Sequence, residues 1–301
     1  MTGAPAPGVR NGRHANRLLL LAAAFLFSTG GAAIKATSLN SWQVAGGRSA
    51  VAAAAILALV PSARKRWTRR DLTVALAYAA TMILFVSANK LTTSANAIFL
   101  QDTAPLYVLL LGPWLLREHL RRTDLLLVLL VAAGMAMFFI GQERAVSTAP
   151  DPLRGNAIAV VSGLAWALTI MGLRWLGKGG ASSMPTVVAG NLMACAVCLP
   201  LALPVAHAGW ADLAALGYLG IFQIGLAYAC LTRAMRHVPA FEASAVLLAE
   251  PALNPVWAFL VHGERPGAWA IAGGALILAA TLANTWWHQG EPRLADNGLN
   301  G

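Results

Sequence analysis

The chain has 301 residues, of which 58% are hydrophobic and 11% are charged. A soluble domain carries about 25% charged residues, so this composition excludes an ordinary soluble protein and is typical of a protein solvated by lipid. The formal net charge of +10 is explained by the Lys and Arg that collect in the cytoplasmic loops of membrane proteins, and we expect no nucleic-acid partner.

Ten apolar segments are predicted to cross the membrane as helices, because about 20 apolar residues span the hydrocarbon layer. In chain order they cover residues 17–36, 43–61, 71–90, 94–115, 124–142, 155–175, 184–204, 211–232, 240–262 and 267–287. Tight turns at Thr92–Thr93 and at Val238–Pro239 divide stretches that are too long for a single crossing. The sequence therefore predicts an all-α integral membrane protein with ten transmembrane helices.

The distribution of basic residues predicts the orientation of these helices. If the N terminus is cytoplasmic, only six of the 22 Lys and Arg residues fall on the external side or its helix ends, namely Lys35, Arg48, Lys90, Arg144, Arg154 and Arg265. Basic residues accumulate on the cytoplasmic side. We therefore expect cytoplasmic tails at residues 1–16 and 288–301, an external linker at residues 143–154, and a location in the inner (plasma) membrane.

The two halves of the chain contain an internal repeat. Residues 88–118 align without a gap on residues 234–264, which pairs Pro105 with Pro251 and Glu118 with Glu264. Each half, residues 17–142 and residues 155–287, contains five predicted helices, and because five is odd the second half enters the membrane from the opposite side. The pattern predicts two inverted five-helix repeats, a plan that many secondary transporters use.

Short motifs follow one another along both halves in a fixed order. They are Ser28-Thr29-Gly30, Ala88-Asn89-Lys90, Ala104-Pro105-Leu106, Arg117-Glu118, Ala165-Trp166-Ala167, Glu250-Pro251, Gly263-Glu264 and Gly273-Gly274. Over residues 17–287 their order and spacing resemble the drug/metabolite transporter superfamily, specifically its ten-helix EamA-type members. The resemblance implies export or uptake of amino acids or other small metabolites. The chain departs from the pattern at Ala104, which occupies the place of Glu250, while the acid of the first half is Asp102.

Two acidic residues, Asp102 and Glu250, lie well inside predicted helices. A charge inside the bilayer costs at least about 2.5–3.5 kcal/mol and is a functional candidate by default. The two acids lie in helices related by the repeat, and they precede Pro105 and Pro251, which can kink a helix. We expect them at a substrate or coupling site between the halves. The alternative is a buried acid that pairs with a nearby base or caps a broken helix.

Other polar and aromatic residues are weaker candidates. Lys35 and Arg48, near the external ends of the first two helices, could bind a carboxylate, pair with an acid, or extend to the interface. Trp166 lies in mid-span, where it would stack on a substrate or pack in the core. Glu118 and Glu264 lie about 20 Å along a helix from their prolines and are expected to serve helix-end structure or gating. Further polar contacts are expected from Gln101, Tyr78 and Tyr228, and also from Asn96, Gln223 and Tyr107.

The sequence thus predicts a secondary transporter that works by alternating access, with an amino acid or related amphipathic compound as its substrate and export as the favoured direction. A lipid or glycolipid flippase on the same scaffold is the alternative. A membrane-embedded enzyme is less favoured, because no catalytic constellation is visible. We expect no cofactor and no metal. The expected partners are a small molecule and the lipid bilayer, with proton coupling and uniport both open, and the oligomeric state is not indicated.

Overall fold

The computed structural model describes residues 7–115, 122–140, 145–177, 182–205, 208–234 and 246–287, and nearly all of them are helical. The helices are α1 (Pro7–Ser28), α2 (Gly30–Lys35), α3 (Ser41–Leu59), α4 (Arg69–Leu91), α5 (Ser94–Gln101), α6 (Ala104–Leu115), α7 (Arg122–Ile140), α8 (Pro152–Gly177), α9 (Met184–Ala202), α10 (Trp210–Tyr218), α11 (Ala227–Ala234), α12 (Ala249–His262) and α13 (Ala268–Trp287). A π-helix (Leu219–Leu226) joins α10 to α11, and a short 3₁₀-helix (Pro61–Arg64) follows α3.

Several of these helices have the length and composition of membrane spans. Within the described part of the chain, six segments are long and apolar enough to cross, namely Ala15–Lys35, Ser41–Leu59, Arg69–Leu91, Pro152–Leu173, Met184–Ala202 and Trp210–Ala234. Shorter apolar helices cover Leu125–Ile140 and Ala268–Ala283. Large apolar side chains such as Leu59, Leu76 and Leu260 are exposed, as a surface that faces lipid requires. Each of the ten predicted spans overlaps a helix or consecutive helices, and the predicted all-α membrane fold is confirmed.

Local hydrogen bonds set the ends of several helices. The side chain of Asn40 accepts from the backbone N–H of Gln43, whose own side chain accepts from the Asn40 N–H, so a capping box starts α3. The Thr93 hydroxyl accepts from the Asn96 N–H at the start of α5. Since α4 ends at Leu91, the predicted turn at Thr92–Thr93 is present. The turn predicted at Val238–Pro239 lies outside the described residues.

Among the described residues, four predicted spans are interrupted where continuous helix was expected. A turn at Thr29 separates α1 from α2, a turn at Asp102–Thr103 separates α5 from α6, and the π-helix interrupts the span of residues 211–232. A further turn falls at Leu248, just before α12. The breaks at Asp102 and Leu248 each lie three residues before a proline. A proline ring clashes with the preceding turn and cannot donate a hydrogen bond, which explains why both repeats break there.

Helices of the two halves pack against one another throughout the described bundle. Helix α4 packs on α8 and α9, α3 packs on α9 and the π-helix, and α1 packs on α11 and α12. Helix α7 lies against α13, where a Cβ added at Gly273 would lie 2.7 Å from the backbone oxygen of Gly134. Small residues at such crossings let membrane helices approach closely. The interior of the bundle is therefore bounded by elements of both repeats.

Candidate functional site

A cavity lies inside the bundle between the two halves. It contains ≈ 480 Å³ of empty space, including the part open to solvent. Its lining residues are Phe27, Arg48, Thr81, Met82, Phe85, Gln101, Asp102, Trp166, Gln223, Ile224, Tyr228 and Glu250. The cavity thus brings together seven of the candidates that the sequence indicated, although they come from distant parts of the chain. They are Arg48, Gln101, Asp102, Trp166, Gln223, Tyr228 and Glu250.

Arg48 supplies a buried cation to this cavity. Its side chain is 1% exposed, and its Nη2 donates to the backbone oxygen of Met82 at 3.0 Å. Its Nη1 donates to Oε1 of Gln223 at 3.5 Å. Nε has no hydrogen-bond partner, and no carboxylate forms an ion pair with Arg48, among the described residues. A guanidinium has five N–H donors, so Arg48 retains donors for an anionic group in the cavity.

Asp102 and Glu250 supply acidic groups to the same cavity. Asp102 follows the last residue of α5, where its backbone N–H donates to the oxygen of Ile98, and its Oδ2 has no hydrogen-bond partner among the described residues. Glu250 is the second residue of α12. The two carboxylates are close enough for their charges to interact. Like charges repel strongly in a medium of low dielectric constant, so the pair favours a proton or an ammonium group beside it.

Aromatic side chains form the apolar part of the cavity wall. The rings of Phe27 and Tyr228 meet edge to face with centroids 5.1 Å apart, and Trp166 of α8 also lines the cavity. Tyr78, which the sequence suggested as a contact residue, lies behind Tyr228 at 5.5 Å, outside the lining set. Its hydroxyl accepts from Nδ2 of Asn191 at 3.1 Å. Tyr78 therefore supports the wall rather than forming it.

Lys35 and Glu264 form a buried ion pair away from the cavity lining. Nζ of Lys35 lies 2.5 Å from Oε1 of Glu264, and the two side chains are 3% and 4% exposed. Lys35 also donates to the backbone oxygens of Thr92 and Thr148. Oε2 of Glu264 accepts from the backbone N–H of Ser94 at 2.9 Å. The pair thus joins α2 and the start of α5 to the segment that follows α12.

Further polar contacts close the same end of the bundle. Nζ of Lys90 donates to the backbone oxygen of Thr37 at 2.8 Å. The carboxylate of Asp212 accepts from the backbone N–H of Ser38 at 2.7 Å and from its hydroxyl at 2.8 Å. Together with the Lys35–Glu264 pair, these contacts fix the loop between α2 and α3 to both halves. We call the region around Lys35, Lys90, Asp212 and Glu264 the capped end.

Comparison with known proteins identifies the family. A model described as the EamA-like transporter family matches twice, at residues 16–140 and at residues 153–286. The chain belongs to the EamA-like transporter family. It is a membrane transporter, and the family predicted from its short motifs is confirmed.

One curated relative and one solved structure are similar to this EamA-like transporter at low sequence identity. The chain is 25% identical over 249 residues to the uncharacterized transporter YxxF of Bacillus subtilis (strain 168), a match that covers 78% of this chain and 77% of the relative. A solved crystal structure, titled only as that of a protein, superposes with a TM-score of 0.63 and 19% identity. It covers 91% of this chain and 97% of that chain, and it shows the shared fold alone.

The prolines and Glu118 complete the candidates that the sequence indicated for the EamA-like transporter. Pro105 is the second residue of α6, and Pro251 is the buried third residue of α12. Glu118 lies outside the described residues. The sequence did not indicate the lining residues Phe27, Thr81 and Met82. A single apolar or small polar residue in a membrane helix looks the same in sequence whether it lines a cavity or packs in the core.

Proposed function

We propose that this transporter moves a small zwitterionic metabolite, with an amino acid as the best candidate, across the inner membrane by alternating access. One observation carries the proposal: the buried Arg48 and the acids Asp102 and Glu250 line one cavity, and Arg48 has no carboxylate partner among the described residues. A zwitterion has the two opposite charges that such a cavity can neutralise.

The lining groups of the cavity are chemically complementary to the three parts of an amino acid, namely its carboxylate, its ammonium group and its side chain. The guanidinium of Arg48 would bind the α-carboxylate, because hydrogen bonds between charged groups are the strongest that a site can offer. Asp102 and Glu250 would accept hydrogen bonds from the α-ammonium group. Trp166 and the edge-to-face pair Phe27–Tyr228 would contact the apolar side chain. A substrate bound in this way removes the repulsion between the two acids and neutralises the guanidinium.

The capped end would be the external gate. The excess of basic residues in the predicted cytoplasmic loops supports a cytoplasmic location of both termini. In that orientation the Lys35–Glu264 pair would lie on the external side. The pair must separate for the cavity to open outward. The breaks at Thr29, Asp102–Thr103 and Leu248 divide helices that pass the cavity, and such breaks can act as hinges during rocking of the repeats.

The driving force would be an ion or substrate gradient. The sequence contains no phosphate-binding loop of the GxxxxGK[ST] type, which favours a secondary transporter. Export rests on the resemblance to EamA-type proteins.

Amino-acid exchange in proteoliposomes tests the proposal. Separate batches of vesicles are loaded with one proteinogenic L-amino acid each, and the same amino acid in labelled form is added outside. For at least one amino acid, the labelled form should be taken up. Amines without a carboxylate and carboxylic acids without an ammonium group should compete poorly, because each satisfies only one side of the cavity. Vesicles that exchange no amino acid but move a fluorescent phospholipid between leaflets would support a flippase instead.

A further inference from the structure

A second polar group of side chains, outside the cavity lining, lies at Asn254 and Ser94. Asn254 is 0% exposed, and neither its Oδ1 nor its Nδ2 has a hydrogen-bond partner among the described residues. Ser94 is also 0% exposed, and its Oγ is likewise without a partner there. A buried donor or acceptor without a partner is destabilising. Two neighbouring side chains in this condition indicate a site that receives a polar ligand.

The two side chains meet at Gly31, the second residue of α2. A Cβ added at Gly31 would lie 3.0 Å from both amide atoms of Asn254 and 2.9 Å from Oγ of Ser94. Any side chain at this position would displace them. The absence of a Cβ at Gly31 therefore allows both polar groups to approach the same point of the backbone.

This cluster lies between the cavity and the capped end. Asn254 follows Glu250 by one turn on the same face of α12, about 6 Å along the helix. The backbone N–H of Ser94 donates to Glu264 of the ion pair at 2.9 Å. A Cβ added at Gly30 would lie 2.8 Å from Nε2 of the cavity residue Gln223. Polar groups thus follow one another from Glu250 to Glu264.

We propose that Asn254 and Ser94 bind water, and that this water conducts protons between the capped end and the carboxylate of Glu250. An amide offers one acceptor and one donor group without titrating itself, so it can orient water in either direction of transfer. A hydronium ion at the capped end gives its proton to the bound water, which passes another proton to Glu250. One O–H bond breaks as the next forms, and the carboxylate becomes a carboxylic acid. The inference rests on the proposed function, and it adds a coupling ion, the proton, to the proposed substrate site.

The ionisable groups around Glu250 suit this role. Helix α12 packs on α1, α2 and α5, whose ionisable groups with described side chains are Arg17 on α1 and Lys35 on α2, with Asp102 directly after α5. Asp102 repels a negative charge on Glu250, and Lys35 is neutralised by Glu264. Two further ionisable residues line the same cavity as Glu250, namely Arg48 of α3 and Tyr228 of α11.

Proton binding at this carboxylate leads to exchange of protons for substrate. Glu250 cannot hold a proton and also accept a full charge-assisted hydrogen bond from a substrate ammonium group. A proton that enters through Asn254 and Ser94 therefore promotes release of the amino acid. The inference thus specifies proton–amino acid antiport.

Proteoliposomes that contain the pH-sensitive dye pyranine test this inference. Vesicles loaded with an equimolar mixture of the proteinogenic L-amino acids are diluted into amino-acid-free buffer, and the dye reports proton movement. In parallel, we measure the exchange of labelled amino acids outside the vesicles for unlabelled amino acids inside them. This exchange needs no net proton transfer. Asn254→Leu should lose the amino-acid-driven pH change and keep exchange. Asn254→Gln, which retains the amide and adds no titratable group, should restore the pH change that Asn254→Leu loses.

Further variants keep the outcome decisive. Ser94→Ala removes only a hydroxyl and should also reduce the pH change while exchange continues, so it decides the matter if Asn254→Leu fails to fold. Asn89→Leu removes a buried amide elsewhere, on α4, and should leave the ratio of proton to amino-acid movement unchanged. Wild-type exchange without any pH change, or an unchanged ratio in Asn254→Leu and Ser94→Ala, would overturn the proton route but not the transport function. Absence of both exchange and efflux in the wild type would overturn the function itself.

Discussion

Nζ of Lys35 lies 2.5 Å from Oε1 of Glu264, with both side chains buried. Lys35 belongs to the first repeat and Glu264 to the second, so the contact joins the two halves at the capped end. Two charges removed from water are tolerated there because each neutralises the other, and because Lys35 and Glu264 also bond to backbone groups. If one charge is removed, the other is left buried without compensation. The proposed gate would therefore depend on the integrity of this pair.

Loss of one partner should open the capped end. Glu264→Gln leaves Lys35 buried without a carboxylate, and such a change destabilises a buried pair by about 3–5 kcal/mol. The free energy of the closed state should therefore rise relative to that of the outward-open state. In a chain whose three cysteines are replaced by alanine, Gln223→Cys should then react faster with a membrane-impermeant thiol reagent added outside. The double variant Lys35→Met with Glu264→Met leaves no unpaired charge and should react slowly. Equal labelling of Glu264→Gln and its parent would contradict the gate.

Removal of the cationic group from the cavity should weaken substrate binding. Arg48→Gln removes the charge that we assign to the substrate carboxylate, and hydrogen bonds to charged groups contribute about 1.5–3 kcal/mol. We expect the KM of amino-acid exchange to rise by about ten- to a hundredfold, as that energy implies. Arg154→Gln, at an exposed position, is the matched control and should leave KM unchanged. If Arg48→Gln bound amino acids normally, the carboxylate would have to bind elsewhere.

The two acids should matter for transport more than for folding. Asp102→Asn and Glu250→Gln preserve shape and remove the charges that would hold the ammonium group, so exchange should fall while expression and thermal stability stay near the parent values. The matched control is Asp151→Asn, which changes an acid at an exposed position. The measurement is labelled exchange normalised to the amount of reconstituted protein. Parent-like rates in both variants would remove Asp102 and Glu250 from the site.

The packing of α7 on α13 should be sensitive to one added side chain. A Cβ at Gly273 would lie 2.7 Å from the Gly134 oxygen and 2.9 Å from Cε2 of Phe138, so Gly273→Val should destabilise the fold by about 1–3 kcal/mol through overpacking. The apparent Tm in detergent, followed by tryptophan fluorescence, should fall. Gly217→Ala is the control because, apart from its chain neighbours and the backbone of its own helix, no described atom lies within 4 Å of the added Cβ. A fall in Tm for both variants alike would point to a general loss of glycine flexibility instead.

Helices and family could be predicted because their signals are local. The span predicted at residues 71–90 corresponds to α4 at Arg69–Leu91, since hydropathy and flanking charge depend only on nearby residues. The turn at Thr92–Thr93 follows from the length limit that a bilayer sets on one helix. The unusual acids Asp102 and Glu250 were visible for the same reason, because a charge stands out in an apolar segment.

Features that depend on packing could not be predicted in the same way. The sequence marked Lys35 and Glu264 separately, but their pairing depends on how the two repeats dock. Tyr78 was grouped with Tyr228 by residue type, whereas the bundle places one ring behind the other. The π-helix at Leu219–Leu226 has no composition that separates it from an ordinary apolar helix. Nothing in the sequence distinguishes Asn254, because the lack of hydrogen-bond partners for its amide depends on the surrounding helices.

The acids of the cavity occupy positions that the repeat does not relate. The alignment that pairs Pro105 with Pro251 places Leu248 opposite Asp102 and Ala104 opposite Glu250. Two identical halves would give inward-open and outward-open forms of equal energy, and an empty carrier would wait on either face with equal frequency. The offset of one acid is one of the differences between the halves that remove this equality. We therefore expect the position of this acid to affect the side of the membrane on which the empty carrier rests.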